Sequence, residues 1–335
     1  MKFEDLKTID KQKMYATYDN WPEIAKESFE RDIQKCEIKD VDHIVFAGMG
    51  GSGSIGDSIS AILSKKNIHV TNIKGYLLPK TVDEKTLVIT TSVSGNTTEC
   101  IEILKNFRHT PAKFIGFSSG GLLEKYCKEN QLFFQKIPME HSPRASYSRF
   151  LYSILNILEP IIPIKKNEIN ESICSLEKTK KKIFSENLTD ENISLKLAEF
   201  TSNIVSIYYP RGLQAPAIRY KNCLQENSKM HAMTEDIIES CHNGIVAWEK
   251  KSNVKPILIQ GKDDHKKTSE RWKILEEFFN RNKINYMKIN SVEGNILSKI
   301  INLTYLLDYS TIYTAVLSKI DPSPVKSIDY IKSKL

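Results

Sequence analysis

Two stretches of small and hydroxyl-bearing residues each follow an apolar run. The first is GMGGSG at 48–53, which matches the G-x-G-x-x-G pattern of a dinucleotide-binding turn. Such a site also needs an acidic residue about 20 positions further on, and IHVTNIKG at 68–75 contains none. The glycines still let a ligand approach the backbone, and a following helix offers free N–H groups to an anion. Anion binding and a plain strand-to-helix turn both remain open.

The second stretch is TSVSGNTTE at 91–99, with hydroxyls at Ser92, Ser94, Thr97 and Thr98. Hydroxyls, free backbone N–H groups and the helix dipole together make a compact cradle for a phosphate group. Capping the helix would need only one of these side chains. No Walker lysine accompanies the stretch, so a nucleoside triphosphate is not expected. We predict phosphate binding here, with simple N-capping as the alternative.

Both stretches resemble the sugar-isomerase (SIS) domain family, in which a Gly-Gly-Ser loop and a Ser-x-Ser-Gly-x-Thr loop hold a sugar phosphate. The whole chain resembles the bifunctional phosphoglucose/phosphomannose isomerases. The segments that carry this resemblance are, in order, GMGGSGSIGD at 48–57, TSVSGNTTE at 91–99, SPRASY at 142–147, RYKNCLQENSK at 219–229, HNGIVAWE at 242–249 and DPSPVKSIDYIKSKL at 321–335. The resemblance implies interconversion of fructose 6-phosphate with glucose 6-phosphate and mannose 6-phosphate.

The resemblance also implies roles for individual residues. The implied phosphate contacts are the hydroxyls of Ser52, Ser92, Ser94 and Thr97 and the backbone of Gly50 and Gly51. Arg144 matches an arginine that stabilises the charge of an enediolate, and a fixed cation beside a developing oxyanion is a large electrostatic contribution. Without the resemblance, the two loops alone would predict only an anion site.

Three further residues match catalytic positions. Glu226 matches the base that moves a proton between C1 and C2, and His242 matches the acid that opens the sugar ring. Lys332 matches a C-terminal lysine that reaches into the site, although Lys334 is an alternative. Taken alone, Glu226 reads as a surface glutamate and His242 as a structural hydrogen-bonding residue. Gly244 departs from the family, which more often has Glu there.

The resemblance further implies a homodimer with shared active sites, in which His242 comes from the partner subunit. Two other functions remain open. One is a reaction like that of the isomerase half of a glucosamine 6-phosphate synthase, although no amidotransferase region is found in the sequence. The other is a non-catalytic sugar-phosphate sensor, but the first 40 residues lack the second basic helix of a helix-turn-helix motif.

The elements that would position these residues alternate along the chain. Apolar runs predict buried parallel strands at 43–48, 69–73, 86–91, 113–118, 133–137, 203–209, 255–260 and 285–289, and helical stretches lie between them. This alternation predicts an α/β fold with two doubly wound, flavodoxin-like domains. The expected regions are a lead-in and first domain at 1–160, a helical connection at 161–197, and a second domain with C-terminal helices at 198–335. We expect the active site at the C-terminal ends of strands, between the domains.

The overall composition narrows the expected compartment, cofactors and partners of the protein. Lys and Arg exceed Asp and Glu by 48 − 41 = +7, which suits an anionic substrate. The six cysteines form no CxxC pair, the amino terminus has no signal-peptide core, and no apolar run is long enough to span a bilayer. The histidines form no HExxH or Cys/His cluster. We therefore expect a cytoplasmic protein with no metal, no other cofactor and neither nucleic acid nor membrane as a partner.

Overall fold

The computed structural model describes residues 1–334, which form nine strands. The strands are β1 (His43–Ala47), β2 (His69–Ile73), β3 (Thr86–Thr91), β4 (Lys113–Ser118), β5 (Phe134–Lys136), β6 (Val205–Tyr209), β7 (Ala232–Asp236), β8 (Lys255–Gln260) and β9 (Met287–Asn290). All strand pairs are parallel. Parallel pairing explains the near-continuous apolar runs, because helices cover both faces of such sheets.

Helices fill the intervals between the strands. They are α1 (Phe3–Ile9), α2 (Met14–Asp19), α3 (Trp21–Glu30), α4 (Gly50–Leu63), α5 (Thr98–Phe107), α6 (Gly121–Glu129), α7 (Tyr147–Ile157), α8 (Lys166–Ile183), α9 (Ile193–Phe200), α10 (Gln214–Cys223), α11 (Ile237–Ser240), α12 (Lys266–Arg281), α13 (Ile296–Leu317) and α14 (Lys326–Lys332). Short 3₁₀ turns occur at Arg211–Leu213 and Gly244–Glu249, and a π-helical turn occurs at Leu224–Ser228. No helix within residues 1–334 is both long enough and apolar enough to cross a lipid bilayer.

The chain forms two compact units. The first unit is Asn20–Ile173, and the second combines Met1–Asp19 with the chain from Cys174 onward. Residues 1–19 belong to the second unit through long-range hydrogen bonds to α13. Tyr309 donates its hydroxyl to Asp19 at 2.7 Å, and Tyr18 donates to Asp308 at 3.2 Å.

The first unit contains a five-stranded sheet in the order β2-β1-β3-β4-β5. This is the flavodoxin-like order, in which β1 and β3 flank the topological switch point. Strands β1 and β3 are fully buried and run in register, with His43 opposite Thr86. One core of the unit contains Val45, Val88, Ile103, Leu104, Phe114, Leu123 and Cys127. The two loops singled out in the sequence therefore leave neighbouring central strands at the same edge.

The second unit contains a four-stranded sheet in the order β7-β6-β8-β9. Side chains of β6 alternate between two cores, because Ile207 packs with α10 and α13 whereas Tyr208 packs with α12 and Trp248. The predicted α/β fold with two doubly wound parallel sheets is confirmed. Strand β7 lies at the sheet edge and is absent from the predicted strands. Its sequence AMTED is only partly buried and gives no continuous apolar run.

Candidate active site

The glycine-rich loop and the hydroxyl-rich loop of the first unit touch through Ser52. The loop after β1 turns into α4, and Gly50 takes a left-handed backbone conformation at φ +52° where that helix begins. Ser52 is 5% exposed, and its hydroxyl accepts a hydrogen bond from the backbone N–H of Val93 at 3.2 Å. This contact joins the two loops at the C-terminal edge of the sheet, where α4 and α5 begin.

Hydrogen bonds between residues that are close in the sequence hold the hydroxyl-rich loop in its shape. The hydroxyls of Ser92 and Thr97 are 2.8 Å apart, and Ser92 also accepts from the N–H of Gly95 at 3.1 Å. Ser94 accepts from the N–H of Asn96 at 3.3 Å. Thr97 is the N-cap residue of α5 but makes no side-chain capping bond. The first N–H groups of α5 are therefore not capped by Thr97, and they can donate to an anion.

Gly95 is the one position in this loop that only glycine can fill. Its φ is +73°, and a Cβ atom there would lie 1.7 Å from the carbonyl oxygen of Gly120. The loop after β3 thus packs directly against the loop after β4. This contact explains why a glycine separates the hydroxyl residues.

Arg144 lies beside the glycine-rich loop. A Cβ atom on Gly51 would come within 3.2 Å of the Arg144 Cα atom and of the Pro143 carbonyl oxygen. Arg144 itself is 4% exposed. The structure therefore gathers Arg144, Gly51 and Ser52 at one end of the first unit, close to the hydroxyl-rich loop.

Glu226 lies in the second unit, on the π-helical turn that extends α10. The turn ends where Lys229 takes a left-handed conformation at φ +58°, and the Lys229 ammonium donates to the Glu226 carbonyl oxygen at 2.6 Å. The side chain of Glu226 is half-buried. Glu226 does not lie at a strand C-terminal end, because it precedes β7 rather than following it.

His242 lies on the far side of the same strand. It follows α11, is exposed, and donates its backbone N–H to the Glu239 carbonyl oxygen at 2.9 Å. The neighbouring Asn243 side chain donates to the Glu239 carboxylate at 2.7 Å. Further along, Trp248 is anchored by a 2.8 Å hydrogen bond from its indole N–H to the Tyr208 hydroxyl. The segment from 242 to 249 is thus held firmly while the His242 ring faces solvent.

Glu235, a carboxylate beside this segment, is not among the candidate residues predicted from the sequence. A Cβ atom on Gly244 would meet the Glu235 carboxylate oxygens at 2.3 and 2.4 Å, so a larger residue at position 244 would displace that side chain. Burial and, to a lesser degree, the charge of Glu239 raise the pKa of Glu235. The carboxylate borders a cavity of about 360 Å³ whose lining includes Tyr208 and Trp248. The departure at Gly244 is the one feature of the sequence that points to this contact.

Comparison with known proteins finds relatives that share one name over most of the chain. Residues 190–335 match the model of the bacterial phospho-glucose isomerase C-terminal SIS domain. The bifunctional phosphoglucose/phosphomannose isomerase of Caldicellulosiruptor bescii is 30% identical, over 96% of this chain and 98% of that protein. The chain belongs to the bifunctional phosphoglucose/phosphomannose isomerase family. The Aquifex aeolicus protein of the same name is 28% identical over 94% of each chain.

A solved structure supports the fold of this family member. The C-terminal domain of glucosamine-fructose-6-phosphate aminotransferase from Francisella tularensis superposes with a TM-score of 0.70 at 15% identity. The superposition covers 93% of this chain and 98% of that one. At this identity, the likeness concerns the fold alone.

The C-terminal lysines of this isomerase-family chain lie on or beside α14. Lys332 is the last residue of that helix and is exposed, and α14 has no buried residue. The Lys334 ammonium lies 5.9 Å from the centre of the Tyr330 ring. The choice between Lys332 and Lys334 as the site lysine stays a prediction.

Cys100 lies at the start of α5, and its thiol donates to the Thr91 carbonyl oxygen of the hydroxyl-rich loop at 3.5 Å. Burial raises the pKa of Cys100 to about 12, so its thiol is protonated near neutral pH. Within residues 1–334, no three His, Cys, Asp or Glu side chains stand close enough together to hold a metal ion.

Proposed function

We propose that this protein interconverts fructose 6-phosphate with glucose 6-phosphate and mannose 6-phosphate. The observation that carries the proposal is the 30% identity to a bifunctional isomerase over 96% of the chain. The two hydrogen-bonded loops of the first unit support it, since they offer hydroxyls and free helix N–H groups suited to a phosphate. The phosphate contacts proposed are Gly50, Gly51, Ser52, Ser92, Ser94 and Thr97.

The proposed reaction is a proton transfer that leaves the atom count unchanged. His242 first protonates the ring oxygen of the cyclic sugar while the anomeric hydroxyl releases its proton to water, so that the C2–O bond of the ring breaks and the C2 carbonyl forms. Glu226 then removes the C1 proton of the open ketose and returns it to C2, while the O1 proton passes to O2. Arg144 stabilises the negative charge of the intervening enediolate. Lys332, or Lys334 in its place, is proposed as a further cation at the substrate.

Return of the proton to one face of C2 gives glucose 6-phosphate, and return to the other face gives mannose 6-phosphate. One carboxylate can therefore produce both epimers if the C2–C3 bond rotates while the enediolate is bound. No metal is required in this scheme, because the cation beside the enediolate oxygen is the Arg144 guanidinium.

We further propose that active sites are shared between two copies of the chain. Strand β7 is five residues long, so its ends are roughly 13 Å apart. Glu226 precedes the start of this strand and His242 follows its end. Two groups at opposite ends of one strand are poorly placed to act on the same sugar. A homodimer in which each copy supplies His242 to its partner's Glu226 removes this difficulty.

The activity is tested by incubating the protein with fructose 6-phosphate in excess EDTA and quantifying both aldose phosphates separately. Formation of both products, lost in Glu226→Gln, supports the bifunctional isomerase. Glucose 6-phosphate alone narrows the function to a phosphoglucose isomerase. Binding of fructose 6-phosphate without turnover refutes the enzyme and favours a sensor. Glucosamine 6-phosphate formed only with added ammonia would favour the synthase-like reaction.

The shared site is tested by mixing protomers. Glu226→Gln and His242→Ala homodimers each lack one group at every site, so both should be inactive. After mixing and exchange, half of the dimers are mixed, and each of these has one intact shared site, which predicts recovery of about a quarter of wild-type activity. A mixture that stays inactive, although mass spectrometry shows mixed dimers, refutes sharing.

The setting proposed for this reaction is the cytoplasm. None of the six cysteines, all of which lie within the described residues 1–334, forms a disulfide, and four of them are buried. Unpaired buried thiols are typical of proteins in a reducing compartment. Fractionation of cells expressing the untagged protein, with detection by antibody, tests this placement.

A further inference from the structure

Two buried side chains directly after Glu226 are bonded to one residue of α13. The Asn227 amide donates to the Thr311 hydroxyl at 2.8 Å, and the Ser228 hydroxyl donates to the Thr311 carbonyl oxygen at 2.9 Å. Each of these three residues is at most 1% exposed. The C-terminal end of the π-helical turn is therefore fixed to α13 by contacts that water does not reach.

The other end of the same segment is bonded to the same helix. Arg219 on α10 donates from Nε and Nη2 to one Asp308 oxygen, at 2.9 and 2.6 Å. Thr311 in turn donates its hydroxyl to the Asp308 carbonyl oxygen at 2.6 Å. Asp308 and Thr311 lie one turn apart on α13. The segment 219–228, which carries Glu226, is thus attached at both ends to a short stretch of one helix.

The π-helical form of the turn explains why this attachment affects the Glu226 side chain. A π turn holds one residue more than an α-helical turn, is rare, and often occurs at functional sites. Side chains that follow the added residue are rotated about the helix axis relative to an uninterrupted α-helix. Relaxation of the turn would therefore change the direction in which Glu226 leaves the backbone. The bonds from Asn227 and Ser228 oppose that relaxation.

We propose that Asn227 and Thr311 are positioning residues that set the direction of the Glu226 carboxylate. This inference rests on the proposed role of Glu226 as the proton-transfer base. Neither side chain is proposed to touch substrate. Their hydrogen bond holds the π turn, and the turn aims the carboxylate.

The test compares two threonines of the same helix. Thr311→Val removes the acceptor of the Asn227 amide. Thr314→Val is the matched control, because Thr314 is 2% exposed and its hydroxyl bonds only to the Ser310 carbonyl of its own helix, at 2.8 Å. Thr311→Ser keeps the hydroxyl. Each variant is assayed with fructose 6-phosphate for kcat and KM, after its folding is checked by thermal unfolding.

We expect Thr311→Val to lower kcat about 10- to 100-fold with KM nearly unchanged, since a misplacement near 1 Å has effects of this size. Thr314→Val and Thr311→Ser should keep kcat within about threefold of the wild type. An equal loss in Thr314→Val, a loss confined to KM, or no rescue by serine would overturn the proposal.

A second pair of variants keeps the inference testable if Thr311→Val does not fold. Asn227→Leu breaks the same hydrogen bond from the other side and should reproduce the loss in kcat. When the double variant folds, its loss in kcat should be close to that of either single variant, because both substitutions remove the same Asn227–Thr311 hydrogen bond. Additive losses would contradict the idea. An inactive wild type would overturn the proposed function as well, whereas an active wild type insensitive to both changes would overturn the positioning alone.

Discussion

The two units hold their proposed functional groups by different means. In the first unit the phosphate loops are shaped by glycine backbone and by hydroxyl bonds spanning two to five residues, apart from the Ser52–Val93 contact. In the second unit the turn carrying Glu226 is held by side chains 84 residues away. The proposed phosphate cradle is therefore shaped mainly by contacts between residues that are close in the sequence. The turn of the proposed base Glu226 is instead attached to α13, which is distant in the sequence.

The largest expected effect is on the second unit. Glu226→Gln keeps the shape of the side chain but removes the base, so kcat should fall about 10²- to 10⁴-fold. KM for fructose 6-phosphate should change little, because the phosphate contacts proposed above are residues of the two loops and do not include Glu226. Steady-state kinetics with both aldose products measured checks this prediction.

The control for this change is Glu277→Gln, an exposed glutamate on α12 paired with Arg281. It should leave kcat unchanged. A Glu226→Gln variant with normal kcat and raised KM would contradict the proposal that Glu226 transfers the proton while the loops of the first unit bind the phosphate.

The next effect falls on the first unit. Gly95→Ala places a methyl group 1.7 Å from the Gly120 carbonyl oxygen, at a φ of +73°. The left-handed conformation alone costs about 1–3 kcal/mol for a non-glycine residue, and the clash forces the loop to move. We expect lower stability to urea and a KM for sugar phosphate raised more than about tenfold.

Gly75→Ala is the matched control for this prediction, because a Cβ atom there meets nothing within 4 Å. It should change neither KM nor the urea midpoint appreciably. Equal behaviour of the two alanine variants would show that the loop is not shaped by the Gly95 contact.

The contrast between local and long-range contacts also decides which parts of the fold and of the candidate site the sequence predicts. Strands β1 and β3 and their loops are predictable, since continuous apolar runs and glycine-hydroxyl patterns are local. The edge strand β7 escapes prediction because its second residue, Met233, is 50% exposed and the polar residues Thr234, Glu235 and Asp236 follow it, so no apolar run forms. The π turn and the union of residues 1–19 with α13 escape for another reason. Both depend on pairs such as Asn227 with Thr311 and Asp19 with Tyr309, which are far apart in the chain.

A smaller effect is expected from Ser92→Ala. The variant loses the 2.8 Å contact with Thr97 and the acceptor for the Gly95 N–H. A hydrogen bond to a charged group is worth about 1.5 kcal/mol at the lower end of its range, which suits one of several proposed phosphate contacts, so KM should rise about tenfold with kcat preserved. Kinetics against fructose 6-phosphate measures this rise.

Ser64→Ala serves as the control for the Ser92 change. Ser64 is exposed at the end of α4, and its hydroxyl bonds only to the Ala61 carbonyl oxygen. Its KM should match the wild type. A fall in kcat rather than a rise in KM on Ser92→Ala would place that hydroxyl with the reacting atoms instead of the phosphate.

The smallest effect concerns the pH dependence of stability in the second unit. Burial raises the pKa of Glu235 above its ordinary value of 4.5, so the folded protein binds this proton more tightly than the unfolded chain does. Stability therefore falls as pH rises through the interval between 4.5 and the raised pKa, and the loss persists above it. Glu235→Gln removes this titration. Relative to the wild type, the variant should gain stability between pH 4 and pH 8 in urea unfolding experiments.

The negative charge of Glu239, the second cause of the raised pKa of Glu235, allows a further test. Glu239 raises the pKa of Glu235 through its negative charge, although less than burial does. Glu239→Gln should therefore reduce the pH-dependent loss without abolishing it. Abolition by Glu239→Gln, with no change in Glu235→Gln, would contradict the assignment of this loss to Glu235. Glu235, which packs against Gly244, would then be an ordinary solvated carboxylate. Its side chain would not contribute to the structure of the 242–249 segment.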